Sequence, residues 1–146
     1  MTQEVLKTKE ELRELIDAYA YLGDEKKISE QMSLFIPDAI YKVYMNDMLV
    51  VNISGTENLE KEFSGHAVAV KNYFTLNGQH TVKIDEDTAS GISFTQIKMV
   101  REAEGKNNIT DYSVKYEDQY VRENGKWLIK ERKGYFIIVE ARALNN

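Results

Sequence analysis

The chain has 146 residues and no cysteine, a length expected of a single domain, residues 1–146, that buries its own core without disulfide staples. Its formal charge of −5, with basic residues scattered rather than clustered, argues against nucleic acid as a partner, because neutralising phosphates needs concentrated Lys and Arg. No apolar run approaches the roughly 20 residues that cross a bilayer and Met1-Thr2-Gln3-Glu4 opens no signal peptide, so the chain reads as cytoplasmic with no membrane partner.

The first helix is signalled by Thr8 followed by Glu11, a capping-box spacing, and by the apolar stripe Leu12, Leu15, Ile16 and Tyr19. Residues before Thr8 either extend this helix or fray. Gly23 interrupts the pattern, and Asp24 is placed to cap a second helix that carries Ile28, Met32 and Phe35 on one face and stops before Pro37, the only proline. Ala39 to Met45 alternates as a strand with Tyr41 and Val43 on one face, and Asn46-Asp47 turns it into a second strand, Met48 to Ile53. Gly55-Thr56 opens a short helix carrying Leu59 and Phe63, and Ser64 to Leu76 reads as helix fading into loop.

Four strands complete the chain. Gln79 to Asp85 is followed by a turn at Glu86-Asp87 and a longer strand from Thr88 to Arg101. The polar segment Glu102 to Asn108 reads as an exposed, mobile loop. From Ile109 to Arg122 the alternation is clear: Tyr112, Val114, Tyr116, Asp118 and Tyr120 share a face opposite Lys115, Glu117 and Gln119. Asn124-Gly125 is a type I′ hairpin signal leading into Trp127 to about Val139. Helices followed by a meander predict an α+β domain with the helices on one face of the sheet.

Little in the chain carries chemistry. With two histidines and no cysteine it presents no metal cluster, and no phosphate-binding loop or other cofactor motif is present. Tyr19 and Asp24, at the junction of the first two helices, stand out as a phenol and a carboxylate that could face the mouth of a curved sheet. A carboxylate beside an apolar cavity can have a raised pKa, and a phenol can stabilise an enolate by hydrogen bonding. The plainer alternatives are a helix N-cap for Asp24 and a core aromatic for Tyr19.

Three stretches carry a resemblance. They are Tyr19-Ala20-Tyr21-Leu22-Gly23-Asp24 with Phe35-Ile36-Pro37-Asp38-Ala39, His80 through Gly91, and Tyr116 through Ile129. In this order they resemble the SnoaL-like branch of the NTF2-like superfamily. The resemblance implies a cone: a strongly bent mixed or antiparallel sheet of about six strands with three helices enclosing a pocket. It also implies a homodimer formed through the sheet's outer face. Fold alone does not choose among the activities of that superfamily, which include dehydratases, isomerases and cyclases.

By the same resemblance, Asp24 and Tyr19 occupy positions of functional residues in dehydratases, whereas the histidine base of those enzymes falls at Thr75. Further polar site positions fall at Val43, Ile97, Met99, Val114, Tyr116 and Ile137. A threonine is no base near neutral pH, and losing a positioned base costs a factor of about 10² to 10⁴ in rate. The interior therefore reads as a mostly apolar pocket, with Tyr41 and Phe63 completing its walls, suited to a small hydrophobic ligand.

Three further residues bear on this reading. His80 is either a structural histidine bonded to a neighbour or a catalytic one. Asp118, on the apolar face between Tyr116 and Tyr120, either pairs with a tyrosine hydroxyl or Arg132, or serves as an acid in the pocket. His66 lies at the pocket rim or in solvent. Trp127 and Ile129 are expected to fill the space between sheet and helix, and the apolar run Tyr135 to Val139 to be buried on both faces. Two functions stay open: a ligand pocket, catalysing proton transfer such as isomerisation or dehydration through Asp24 and Tyr19 or only binding, and a non-catalytic interaction or dimerisation module with a filled cone.

Overall fold

The computed structural model describes residues 2–145; Met1 and Asn146, the ends of the expected domain, lie outside the described residues. Helix α1 spans Gln3–Asp24, α2 Ile28–Met32 and α3 Thr56–Ala69. The strands are β1 (Phe35–Met45), β2 (Met48–Ser54), β3 (Asn72–Asp85), β4 (Thr88–Ala103), β5 (Lys106–Glu123) and β6 (Lys126–Leu144). They form one open sheet in the order β2-β1-β6-β5-β4-β3, in which only β1 and β6 run parallel. The α+β class, the mixed six-stranded sheet and the three helices agree with the sequence reading.

Several boundaries differ from that reading. Helix α1 begins a turn and a half earlier, because the hydroxyl of Thr2 rather than Thr8 caps it, accepting from the Val5 amide at 3.1 Å. Thr8 lies inside the helix and is buried. Asp24 does not cap α2; it is the last residue of α1, and α2 starts after Lys27 with no side-chain cap. The apolar spacing that continued from Met32 to Phe35 crosses a change of structure, for Phe35 already lies in β1. Pro37 sits in the irregular stretch between Phe35 and Ile40, where pairing with β6 lapses and a missing amide donor does no harm. The stretch Ser64 to Leu76 is ordered throughout, first as the end of α3 and then as the start of β3.

The segment Glu102 to Asn108 is largely exposed, as expected, but is a tight hairpin rather than a loop. The strands pair down to Ala103 and Lys106, and Glu104 (φ 54°) with Gly105 (φ 77°) closes a two-residue turn. Asn124 (φ 53°) with Gly125 (φ 77°) does the same between β5 and β6. Positive φ at both central residues gives the turn a twist matching that of the strands.

The core lies between the three helices and the half of the sheet made by β1, β5 and β6. Leu12, Ile16, Leu59 and Ile129 are fully buried there, packed with Phe35, Tyr120 and Trp127. Complete burial of an aliphatic side chain of this size contributes about 1.5–3 kcal/mol. Register shifts bend the sheet around this core, at Asn77/His80 in β3 and at the extra residues Lys130 and Ile137 of β6, opposite Gln119/Tyr120 and Ser113/Val114 of β5. Beyond the helices the sheet is bare. Ile137 and Ile138 are each 60% exposed and Val139 is 50% exposed, so the run expected to be buried on both faces is open in the single chain. Among the described residues no helix is long and apolar enough to cross a membrane.

Candidate functional site

A cavity of about 240 Å³ opens between α1, α3 and the concave face of the sheet. Aliphatic and aromatic side chains form most of its wall, among them Val43, Met45, Phe63, Ile97, Met99 and Phe136. The polar groups gather in two places. Tyr41, Tyr116 and Arg132 are buried and, with Tyr19 packed against them, mark the deep end; Asp24, Thr75 and Tyr73 are half-buried and His66 exposed, nearer the entrance.

Arg132 organises the deep end. Its guanidinium lies 3.6 Å from the centroid of the Tyr116 ring and 4.3 Å from that of Tyr19, cation–π contacts to two rings set edge to face at 75°, and the residue is only 1% exposed. Gly134 makes room for it, since a Cβ there would come within 3.0 Å of the Tyr116 ring. The Arg132 Nε donates to Asp118 Oδ1 at 3.0 Å, and the Tyr120 hydroxyl donates to Asp118 Oδ2 at 2.7 Å. Because the Tyr120 proton is used in that bond, His80 Nε2, 3.1 Å from the Tyr120 oxygen, is the donor to it. Gly91 leaves space for this pair: a Cβ would approach Tyr120 to 2.8 Å and His80 to 3.1 Å.

Asp118 is thus held by Arg132 and Tyr120, and His80 joins this network through the Tyr120 hydroxyl. Burial raises the Asp118 carboxyl, while Arg132 and Tyr120 pull it back. Burial, followed by the charges of Arg13 and Arg132, lowers His80 to about 4, so its ring is neutral at neutral pH. Burial disfavours the charge of Arg132, but Asp118 and then the surrounding tyrosines hold it protonated. The tyrosines respond in turn. Burial and the adjacent Tyr41 push Tyr19 well up, and burial does the same to Tyr41 and Tyr116, so all three hydroxyls stay protonated and able to donate. Two polar atoms on the cavity's lining residues, Arg132 Nη2 and Gln31 Oε1, are buried without a hydrogen-bond partner.

Nearer the entrance, the backbone amide and the hydroxyl of Thr75 both donate to the Asp24 carboxylate, to Oδ2 and Oδ1, each at 2.7 Å. Burial raises the Asp24 pKa and the two Thr75 bonds oppose the rise. Each carboxylate oxygen keeps a free lone pair. His66 Nδ1 is 2.6 Å from the Tyr73 hydroxyl, and its Nε2 is 3.4 Å from Arg101 Nη2. A guanidinium only donates, which makes Nε2 the acceptor and leaves the ring proton on Nδ1. Burial and then Arg101 lower the His66 pKa, and burial raises Tyr73 to about 12.

Of the residues singled out from sequence, Tyr19, Asp24, Tyr41, Val43, Phe63, Thr75, Ile97, Met99 and Tyr116 all line the cavity. Four do not. His80 and Asp118 lie behind it in the Arg132 network, and Val114 packs beneath Tyr112 and Tyr116. Ile137 points outward because it is the extra residue of a bulge: Val114 pairs with Phe136 and Ser113 with Ile138, so Phe136 takes the inward place. Sequence reasoning assigned no site role to Arg132, Tyr73, Tyr112, Gln31 and Asn77. The inward alternation of β5 could have found Tyr112, and the parallel alternation on β6 could have found Arg132. Among the described residues no group of three His, Cys, Asp or Glu side chains is placed to hold a metal ion.

Solved structures share this architecture. A candidate scytalone dehydratase from Novosphingobium aromaticivorans superposes with a TM-score of 0.83 at 20% identity, covering 99% of this chain and 96% of that one. The Kfla4162 protein from Kribbella flavida gives 0.83 at 15% identity, covering 93% and 95%. A hexachlorocyclohexane dehydrochlorinase, LinA-type3 from Novosphingobium barchaimii, gives 0.77 at 12% identity, covering 97% and 92%. At these identities the likeness is one of fold. No curated protein matches the sequence. The sequence pattern of the SnoaL-like domain matches residues 4–133, which is most of the chain. The chain therefore belongs to the SnoaL-like family.

Proposed function

We propose that the cavity binds a small, mainly apolar molecule carrying a carbonyl or similar acceptor, and that Asp24 and Tyr19 move and stabilise a proton on it. The observation that carries this reading is the division of the polar groups. Protonated phenols and the Arg132 guanidinium lie at the deep end of an apolar cavity, and a carboxylate clamped by Thr75 lies nearer its mouth. A carbonyl oxygen at the deep end would accept from Tyr19, helped by the positive charge behind its ring. Asp24, with a raised pKa and a free lone pair, would take a proton from the carbon next to that carbonyl and return it elsewhere, which is isomerisation chemistry.

Dehydration fits less well. Elimination of a hydroxyl calls for a base and an acid in succession, and the place beside Asp24 is filled by Thr75, which donates both its hydrogens to that carboxylate. An open cavity also favours a ligand site over an interaction module with a filled cone: Ile97 and Met99 line the space rather than plugging it. The volume lies just below the roughly 300–1,000 Å³ common for ligand sites, which favours a compact ligand.

A homodimer through the sheet's outer face belongs to the same proposal. Phe74 on β3, Ile92 and Phe94 on β4 and Ile137 on β6 are between 41% and 60% exposed on the face turned away from the cavity. They alternate there with the Lys98–Asp111 and Lys115–Glu117 ion pairs, and exposed apolar side chains of this kind are what an isologous interface buries.

The test is proton exchange. A panel of small aryl and alkyl ketones in deuterated water is followed by NMR for loss of the hydrogens next to the carbonyl, with the wild-type protein, Asp24→Asn and Tyr19→Phe. The proposal expects exchange in the wild type that falls by roughly 10²-fold or more without the carboxylate. Equal rates in all three proteins would remove the catalytic part and leave binding alone.

A further inference from the structure

The chain has five arginines. Arg13, Arg122, Arg132 and Arg142 each pair with an aspartate: Asp17, Asp87, Asp118 and Asp111 respectively. Arg101 alone has no carboxylate within 4.0 Å among the described residues. In a chain with 24 acidic and 19 basic residues, a guanidinium left without an anion is conspicuous.

Its place makes it more so. Arg101 is partly buried near the end of β4, and each of its contacts is a residue that lines the cavity. Nη1 lies 3.5 Å from the Tyr112 hydroxyl, and Nη2 lies 3.4 Å from His66 Nε2 and 3.6 Å from Met99 Sδ. These are long contacts to neutral acceptors, weak partners for a cation whose preferred mate is a carboxylate in a fork. The Tyr73 hydroxyl stands beside it through His66, at 2.6 Å from Nδ1. A second cation, Lys26, lies 5.9 Å from the Tyr73 ring centroid and bonds the Val70 carbonyl at the end of α3. Arg101 is thus not itself in the cavity wall but stands directly behind it, in contact with His66, Met99 and Tyr112, on the side where the Tyr73 and Tyr112 hydroxyls lie.

We propose that Arg101, with the Tyr73 and Tyr112 hydroxyls, receives a carboxylate of the cavity's ligand, so that the ligand is a small apolar acid. The inference rests on the reading of the cavity as a ligand site and adds the class of ligand to it. The apolar body fills the space between Phe63, Ile97 and Phe136, and the charged end stays at the entrance, where it keeps part of its hydration. Burying the carboxylate deeper is disfavoured, because the one cation there already holds Asp118. Two anionic groups, Asp24 and Glu62, also line the cavity, so the acid must approach from the β4 and β5 side to meet Arg101 first.

The test titrates the full chain with phenylpropanoate and phenylbutanoate and with their primary amides, by calorimetry and by NMR. The acids are expected to bind roughly tenfold more tightly than the amides, the gain of one charge-assisted contact. That preference should vanish in Arg101→Gln while the amide affinity stays unchanged, which also reports that the variant is folded. The His66 signals, one of only two histidine sets, should move on binding of the acid. Their titration should shift upward, because the ligand's charge offsets the pull of Arg101 and adds to that of Glu62. Equal affinity for acid and amide, or a preference that survives in Arg101→Gln, overturns the inference and leaves the ligand pocket intact. Failure of both acids and amides to bind overturns the ligand reading itself, and this inference with it.

Discussion

Asp24, at the last position of α1, and Thr75, on β3, are joined by two hydrogen bonds of 2.7 Å, one from the threonine amide and one from its hydroxyl. This clamp fixes the carboxylate at the cavity wall and spans 51 residues of sequence. Hydrogen bonds to the ionised form lower a carboxyl pKa, and here they oppose the upward push of burial. Thr75→Val removes the hydroxyl bond and keeps the amide bond, so the Asp24 pKa should rise further. Carbon-13 NMR titration of the aspartate carboxyls reads the shift directly, and an unchanged Asp24 pKa would show that the hydroxyl bond is idle.

Asp118 and Arg132 form the ion pair that stands behind the deep end. Asp118→Ala leaves the guanidinium buried without its partner and frees the Tyr120 hydroxyl. Breaking a pair this deeply buried typically costs about 3–5 kcal/mol. Urea denaturation should show a loss of that size for Asp118→Ala and a smaller one for Asp118→Asn, which retains an acceptor for Tyr120. A loss under about 1 kcal/mol, the range of exposed ion pairs, would contradict the packing described.

The fold carries a pH dependence through His80. Its pKa falls from the ordinary 6.5 to about 4 in the folded chain, first through burial and then through Arg13 and Arg132. Between those values the unfolded chain takes up a proton that the folded chain refuses. The contribution of His80 is therefore complete above pH 6.5 and is lost as the pH falls toward 4. The urea midpoint should drop between pH 7.5 and pH 4.5, and it should drop less in His80→Gln. Identical drops in both proteins would place the pH dependence elsewhere.

Much of this arrangement was legible in the sequence, and what was not has physical causes. The alternation from Tyr112 to Tyr120 placed β5, because a strand half covered by a core must repeat every two residues. The Asn124-Gly125 turn was plain for the same kind of local reason. Ile137 was misplaced because a bulge adds one residue and exchanges the faces beyond it, and bulges are set by the bend of the whole sheet. Asp24 looked like a helix cap because its partner, Thr75, is distant in sequence. Phe35 continued a helical spacing into a strand, since a single apolar residue satisfies both periods. The contacts of Arg132 with Tyr116 and Tyr19 needed two strands and a helix to come together, and no local pattern announces that.

The outer face of the sheet makes its own prediction. If Phe74, Ile92, Phe94 and Ile137 pack against a second copy, the mass in solution is twice the 16.9 kDa of one chain. Phe94→Lys, paired with Phe74→Lys, should return the monomer without unfolding it, because neither side chain belongs to the buried core. Sedimentation equilibrium distinguishes the cases, and a wild-type monomer at micromolar concentration would contradict the interface.

The most direct measurement concerns the cavity itself. An amide-resolved NMR titration with phenylbutanone, a compact apolar ketone, should saturate, with its largest shifts at Tyr19, Tyr41, Thr75, Ile97 and Phe136. The same titration of Ile97→Trp, which fills the space, should show these shifts abolished. Shifts confined to the exposed sheet face, or an equal response in the filled variant, would contradict the claim that this cone is built to hold a small molecule.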